Sequence, residues 1–267
     1  MESMTKGTET LGPEIFIDDD RPGLSRFDAK PRRAAPRTFE SIGAFIFDVD
    51  GVIADTADLH ATAWRRVADE EGLPFAEGLS DELRGLSRKA SLEKLLGGRS
   101  VPADAFEAMM DRKNRYYAES LHRLEPKDIL PGVTCLLDGL RRFDIKLAAA
   151  SASCNARTVL SCVGVMDEFE VIMDGNDVAR SKHGLHQFAL AAASLRMVPQ
   201  RCVVVDDSTA GLSAARQLGM RSIGLGERDR LCAATMTFDS LRGVEARTLL
   251  HWLDQSCARK DAVGARR

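Results

Sequence analysis

No stretch of this 267-residue chain stays apolar for the ~18 residues that a membrane-spanning helix requires. Nor is there an excess of one charge: 37 basic and 40 acidic residues leave a net charge of -3. Neither a nucleic acid nor an anionic membrane surface is therefore expected as a partner. The first twenty residues are acidic and hold no continuous apolar core, so no secretory signal is expected. The six cysteines, at 135, 154, 162, 202, 232 and 257, form no C-x-x-C pair and have no histidine partner at zinc-finger spacing. Most of them read as small core residues in a reducing compartment, and the expected location is cytoplasmic. No internal repeat is visible, which sets solenoids aside. What remains, 44% hydrophobic and 29% charged, is the balance of an ordinary globular protein. The length suits one large domain, or a main domain with an insert.

The stretch from Ile42 to Thr56 organises the rest. Ile42 to Phe47 is an unbroken apolar run, suited to a strand buried on both faces of a parallel sheet. It stops on Asp48 and Asp50, which share one side of an extended chain because side-chain direction repeats every two residues. Gly51 then lets the backbone turn. Carboxylates this close repel unless a cation or proton lies between them. Open α/β sheets place their ligands at such strand ends. Taken alone, the pattern reads equally as an acidic turn.

After this strand the periodicity is helical over 57–71, 91–96 and 103–124, with a polar loop from Leu83 to Arg88. Strands and helices then alternate: helix 133–142, strand 145–150, helix 155–164, strand 170–173, helix 185–196, strand 201–205, helix 209–218, strand 222–225 and helix 244–256. Such alternation predicts a doubly wound parallel sheet, Rossmann-like, with helices on both faces. The expected organisation is a mobile tail over 1–38, an α/β core from 39–56 and 130–257, a helical cap inserted at 57–129, and a short basic tail over 258–267.

Three later segments add chemistry to the two aspartates. Ala148 to Ala150 runs into Ser151-Ala152-Ser153-Cys154-Asn155 before a helix, where hydroxyls and free amides can receive an anion. By itself this is also a helix N-cap. Ser181-Lys182 follows the next strand, and a lone loop lysine is commonly just solvated. Val203 to Val205 is a second apolar strand ending in paired acids, Asp206 and Asp207. In combination, acids from two strands can chelate a hard divalent ion through oxygen, while a hydroxyl and a lysine take up phosphate charge. A carboxylate nucleophile beside Mg²⁺ suits phosphoryl transfer through an aspartyl phosphate.

With its D-x-D, S-x-S, Lys and D-D segments in this order over residues 45–219, the chain resembles the haloacid dehalogenase superfamily. The resemblance implies that Asp48 is the nucleophile and Asp50 the general acid/base. It also implies Mg²⁺ held by Asp48, the Asp50 carbonyl and Asp207, with Asp206 nearby, and a phosphoryl group gripped by Ser151, Ala152 and Lys182. Within the superfamily the chain is most similar to the β-phosphoglucomutase group. The matches are Asp48 to Ile53 with Asp55-Thr56, His60, Ala63-Trp64, Gly85-x-Ser87-Arg88, Ser91-Leu92, Arg112-Lys113-Asn114 with Tyr117, and Ser151-Ala152-Ser153 with Asn155. This likeness implies that Thr56, His60, Gly85, Ser87, Arg88, Lys113, Asn114, Ser153 and Asn155 bind a sugar phosphate. Arg88, Ser153 and Asn155 would take the phosphate that is not transferred, and His60 and Lys113 would couple cap closure to Asp50.

Two departures stand out. The group follows its lysine with K-P-x-P-D, whereas here Lys182 precedes His183-Gly184-Leu185-His186, without the prolines that fix φ. Before Asn155 the group has lysine and this chain has Cys154, removing one charged hydrogen bond worth roughly 1.5–3 kcal/mol. Arg157 or Arg84 could supply it instead. Cys154 could alternatively be a reactive thiol at a helix amino terminus. The implied reaction is Mg²⁺-dependent interconversion of β-glucose 1-phosphate and glucose 6-phosphate, by a monomer. A sugar-phosphate phosphatase of the same fold is the alternative, and a non-catalytic sensor a third reading.

Overall fold

The computed structural model describes residue 39, residues 41–181 and residues 186–264, with side chains as far as 255. The expected tail over 1–38, Lys182 and His183 lie outside the described residues.

The chain enters through β1 (Ala44–Phe47) and then forms four helices, α1 (Ala57–Glu70), α2 (Leu79–Leu83), α3 (Arg88–Leu96) and α4 (Ala103–Leu121). It continues as α5 (Val133–Arg142), β2 (Lys146–Ala150), α6 (Ala156–Cys162), β3 (Val171–Met173), α7 (Gly175–Arg180) and α8 (Gln187–Ser194). The last elements are β4 (Cys202–Asp206), α9 (Thr209–Gln217), β5 (Arg221–Leu225), β6 (Met236–Phe238) and α10 (Ala246–Gly264).

All six strands are parallel, in the order β3-β2-β1-β4-β5-β6. β1 lies at the centre, with Ala44 in register with Lys146 on one side and Cys202 on the other. The chain reverses its direction of progress across the sheet between β1 and β4, and a crevice opens at the carboxyl ends of the strands there. Period-2 alternation sorts the β1 residues between two cores. Phe45 and Phe47 pack with Leu136 and Leu140 of α5 and with Leu249 and Leu250 of α10. Ala44 and Ile46 pack on the opposite face with Phe188 and Ala191 of α8 and with Met220. Each large buried side chain contributes about 1.5–3 kcal/mol relative to exposure. β1 is thus anchored from both sides, and Asp48 follows its last residue on a fixed base.

Helices α1 to α4 form the inserted cap. Trp64 and Val67 of α1, Leu92 and Leu95 of α3 and Met109 of α4 make its own small core. Tyr117 and Leu121, at the end of α4, belong instead to the main core with Ala63 of α1. The root of the cap is therefore continuous with the sheet domain.

The structure departs from sequence expectation at short elements and at ends. α3 starts at Arg88 rather than 91, because the Ser87 hydroxyl accepts a hydrogen bond from the Ala90 amide and caps the helix. α2, α7 and β6 have only 5, 6 and 3 residues, too short to display a period. α10 continues to Gly264, past the expected end at 256, through Ala258, Arg259 and Lys260, which favour helix. No helix among the described residues is long and apolar enough to cross a membrane.

Candidate active site

Three carboxylates converge at the crevice. Asp48 follows β1, with its amide donating to the Val205 carbonyl at 2.9 Å. Asp206 ends β4 and Asp207 follows it. One oxygen from each of the three lies within 4.8 Å of the others, and all three residues are buried. Asp206 is fixed locally: its Oδ1 accepts from the Ser208 amide and hydroxyl, both at 2.7 Å. Its Oδ2 lies 1.8 Å from where a Cβ on Gly211 would stand, so glycine is required in the first turn of α9. Asp207 Oδ2 accepts from Arg84 Nη1 at 2.6 Å, whereas Asp207 Oδ1 is buried without a hydrogen-bond partner.

Electrostatics follow from the crowding. Burial, then Asp206, Asp50 and Asp207, push the Asp48 carboxyl well above the usual carboxylate range. Burial pushes Asp206 up to about 7 against the hydrogen bonds from Ser208. Burial also raises Asp207, with Arg84 pulling the other way. A buried trio of acids with one unpartnered oxygen concentrates negative charge that a hard cation would offset, and an all-oxygen donor set suits Mg²⁺. Asp48, Asp206 and Asp207 fit such an ion.

Asp50 sits in a different environment. Its Oδ1 accepts from Thr56 Oγ1 at 2.6 Å and from the Tyr117 hydroxyl at 2.9 Å, and its Oδ2 accepts from Ser151 Oγ at 3.0 Å. Burial alone would raise its pKa, but the His60 side chain and the Thr56 and Tyr117 hydroxyls outweigh it and hold the carboxyl low. His60 stacks on Tyr117 with ring centroids 3.8 Å apart, and its Nε2 lies 3.3 Å from Asp50 Oδ1, without hydrogen-bond alignment. Lys113 Nζ lies 2.7 Å from His60 Nδ1. A protonated Lys113 donates there, which places the imidazole proton on Nε2, facing Asp50. Burial, opposed by Asp50, brings Lys113 down to about 7.

A cavity of about 120 Å³ joins these groups to the underside of the cap. Asp48, Asp50, Asp206, Asp207, Ser151 and Ala152 form its floor. His60, Gly85, Arg88, Lys113 and Asn114 reach it from the cap, and Ser153 and Asn155 from the loop between β2 and α6. Asn155 Nδ2 donates to Asn114 Oδ1 at 2.8 Å, and Arg88 Nη2 to Cys154 Sγ at 2.9 Å. The structure thus gathers most of the residues singled out in the sequence. Thr56 is fully buried behind Asp50 rather than on the cavity wall, and Ser87 is exposed with its hydroxyl used as a helix cap.

Neither arginine considered as a substitute for the missing lysine points to Cys154. Arg84 is held by Asp207 and Asp81, and Arg157 by the Ile172 carbonyl, Asp174 and Asp177. His186 caps α8, accepting from the Phe188 amide. Sequence reasoning missed Arg84, Tyr117 and Ser208 as contacts of the carboxylates. Spacing alone does not pair Tyr117 with Asp50, 67 positions away, or Arg84 with Asp207, 123 away; Ser208, two residues after Asp206, carried a local signal as a helix cap. Trp64 and Ser91 also line the cavity, with Lys113 Nζ 5.4 Å from the Trp64 ring centroid.

A buried acid cluster at the switch point of a parallel sheet, roofed by a helical insert after β1, defines the class of protein. The haloacid dehalogenase-like hydrolase family matches residues 45–225, and the chain belongs to it. It is 38% identical to β-phosphoglucomutase of Bacillus subtilis over 72% of this chain and 87% of that protein. It is 31% identical to a phosphorylated carbohydrates phosphatase of Thermotoga maritima, over 67% of this chain and 83% of that one. The crystal structure of β-phosphoglucomutase from Clostridium difficile superposes with a TM-score of 0.76 at 32% identity, covering 81% of this chain and 99% of that chain.

Proposed function

We propose that the chain is a Mg²⁺-dependent phosphosugar mutase interconverting β-glucose 1-phosphate and glucose 6-phosphate through an aspartyl phosphate on Asp48. The observation that carries this reading is that polar and basic cap residues share one cavity with the acids. Arg88, Asn114 and Asn155 line the same cavity as Asp48, and Asn155 and Asn114 are hydrogen-bonded to each other; a second phosphate needs such donors. The likeness to the Bacillus subtilis and Clostridium difficile mutases supports it.

In this mechanism an Asp48 oxygen attacks phosphorus, and the P–O bond to the departing oxygen breaks. In the return step a sugar hydroxyl attacks the phosphoryl group on Asp48 and gives its proton to Asp50. The hydrogen bonds from Thr56 and Tyr117 keep Asp50 ionised and aimed until that proton arrives. In the opposite direction Asp50 returns the proton to the leaving oxygen. Mg²⁺ held by Asp48, the Asp50 carbonyl, Asp206 and Asp207 would neutralise charge between carboxylate and phosphate. Ser151, Ala152 and Lys182 are assigned to the transferring phosphoryl group. Residues 57–129 act as the cap that excludes water from the aspartyl phosphate.

A phosphatase is the second reading, and Cys154 favours it. A thiol where the mutase group has lysine offers the distal phosphate no charge, and the likeness to the Thermotoga maritima phosphatase runs the same way. Phosphorus NMR of the protein with Mg²⁺, β-glucose 1-phosphate and a trace of glucose 1,6-bisphosphate separates the two. Glucose 6-phosphate accumulating with little free phosphate is the expected result. Free phosphate as the main product would make the chain a phosphatase.

A further inference from the structure

The two oxygens of Asp207 face different demands. Oδ2 accepts from Arg84 Nη1 at 2.6 Å, and Arg84 Nη2 reaches Asp81 Oδ1 of α2 at 3.3 Å, so the guanidinium is tied to both the cap and the floor. Oδ1 is buried and unpartnered, beside Asp48 and Asp206. The residue after Arg84 shows how closely this cap loop is seated. Gly85 has φ +75°, and a Cβ there would lie 2.1 Å from the Ser208 hydroxyl, which itself holds Asp206. The loop at 84–85 therefore rests directly on the 206–208 loop.

We propose that Arg84 is a positioning residue that latches the cap onto Asp207 in the metal-free chain, and that a divalent cation at the acid cluster loosens this latch. The proposal rests on the reading that Asp48, Asp206 and Asp207 hold that cation. An ion pair draws its strength from the full negative charge on its carboxylate. A divalent cation taking Asp207 Oδ1 shares that charge and also repels the guanidinium. The latch is consequently weaker with metal than without it. By reciprocity the latch must lower metal affinity by the same factor. Metal loading then favours release of the cap from the floor by that factor.

Calorimetric titration with Mg²⁺ alone, at fixed ionic strength, tests the coupling on wild type, Arg84→Gln, Arg84→Lys and Lys89→Gln. Lys89 is an exposed cap residue that removes the same unit of charge away from the acids. Arg84→Gln is expected to bind Mg²⁺ at least about fivefold more tightly than wild type, the lower end of typical coupling between sites. Arg84→Lys should fall between the two, and Lys89→Gln should match wild type. Equal or weaker binding by Arg84→Gln would overturn the latch while leaving the metal site in place. No Mg²⁺ binding by wild type would overturn the metal reading as well. Backbone hydrogen exchange over residues 84–91 of wild type needs no variant. It should quicken when Mg²⁺ is added, and unchanged or slower exchange would overturn the proposal.

Discussion

Tyr117→Phe removes one oxygen from the buried interior and leaves the ring stacked on His60. The lost hydroxyl is one of three that donate to Asp50, with Thr56 at 2.6 Å, Tyr117 at 2.9 Å and Ser151 at 3.0 Å. A hydrogen bond to a charged group is worth about 1.5–3 kcal/mol. At about 1.4 kcal/mol per pKa unit, Asp50 in the variant should ionise about one to two units higher. The sign follows from which form the phenol favours: it donates to the carboxylate, so its loss favours the protonated acid. If ionised Asp50 is the group that receives the sugar proton, the acid limb of kcat/KM against pH must move up by that interval. Well above the limb the rate should recover to within a few fold of wild type. A profile that falls uniformly at every pH, with its acid limb unmoved, would mean that Tyr117 only packs. It would refute the account of how Asp50 is held.

Other perturbations follow from the same contacts. Asp48→Asn should abolish turnover, with a loss on the order of a thousandfold or more. It should also raise the stability of the metal-free chain by about 0.5–2 kcal/mol, because it removes a buried acid among acids; melting in chelator checks the second half. Lys113 is buried and titrates near 7 in the folded chain against an ordinary 10.5. Between those values the unfolded chain binds the extra proton, so stability should rise with pH at up to about 1.4 kcal/mol per unit. Denaturant titrations of Lys113→Met should lose that rise across pH 7 to 10. Gly85→Ala places a Cβ against Ser208 at positive φ. It should cost roughly 1–2 kcal/mol from backbone conformation alone, together with a clear fall in kcat/KM, read from unfolding curves and initial rates.

Much of this site is legible in the sequence because its parts lie at the ends of strongly apolar strands. Phe45 to Phe47 and Val203 to Val205 can only be interior, and Asp48 and Asp206-Asp207 follow them directly. The parallel pairing of β1 with β4 then brings the two acid pairs together. The weaker signals belong to elements too short to show a period, such as β6, and to helix starts decided by a single cap, as Ser87 decides α3. Contacts across the cap were hidden for a different reason. Arg84 meets Asp207 and Tyr117 meets Asp50 only once the insert has folded back over the sheet, and no local pattern encodes that meeting. Gly211 carried a signal that could have been used: a glycine in the first turn of a helix after paired acids marks a carboxylate lying against the backbone.

The central claim is that a phosphoryl group on Asp48 passes to sugar rather than to water. The direct measurement is the fate of that group when the phosphorylated protein, labelled with ³²P, is mixed with β-glucose 1-phosphate and Mg²⁺ in a single turnover. Label appearing in a sugar bisphosphate and then in glucose 6-phosphate, ahead of inorganic phosphate, is the predicted result. Label released chiefly as inorganic phosphate, at a rate the sugar does not change, would contradict it.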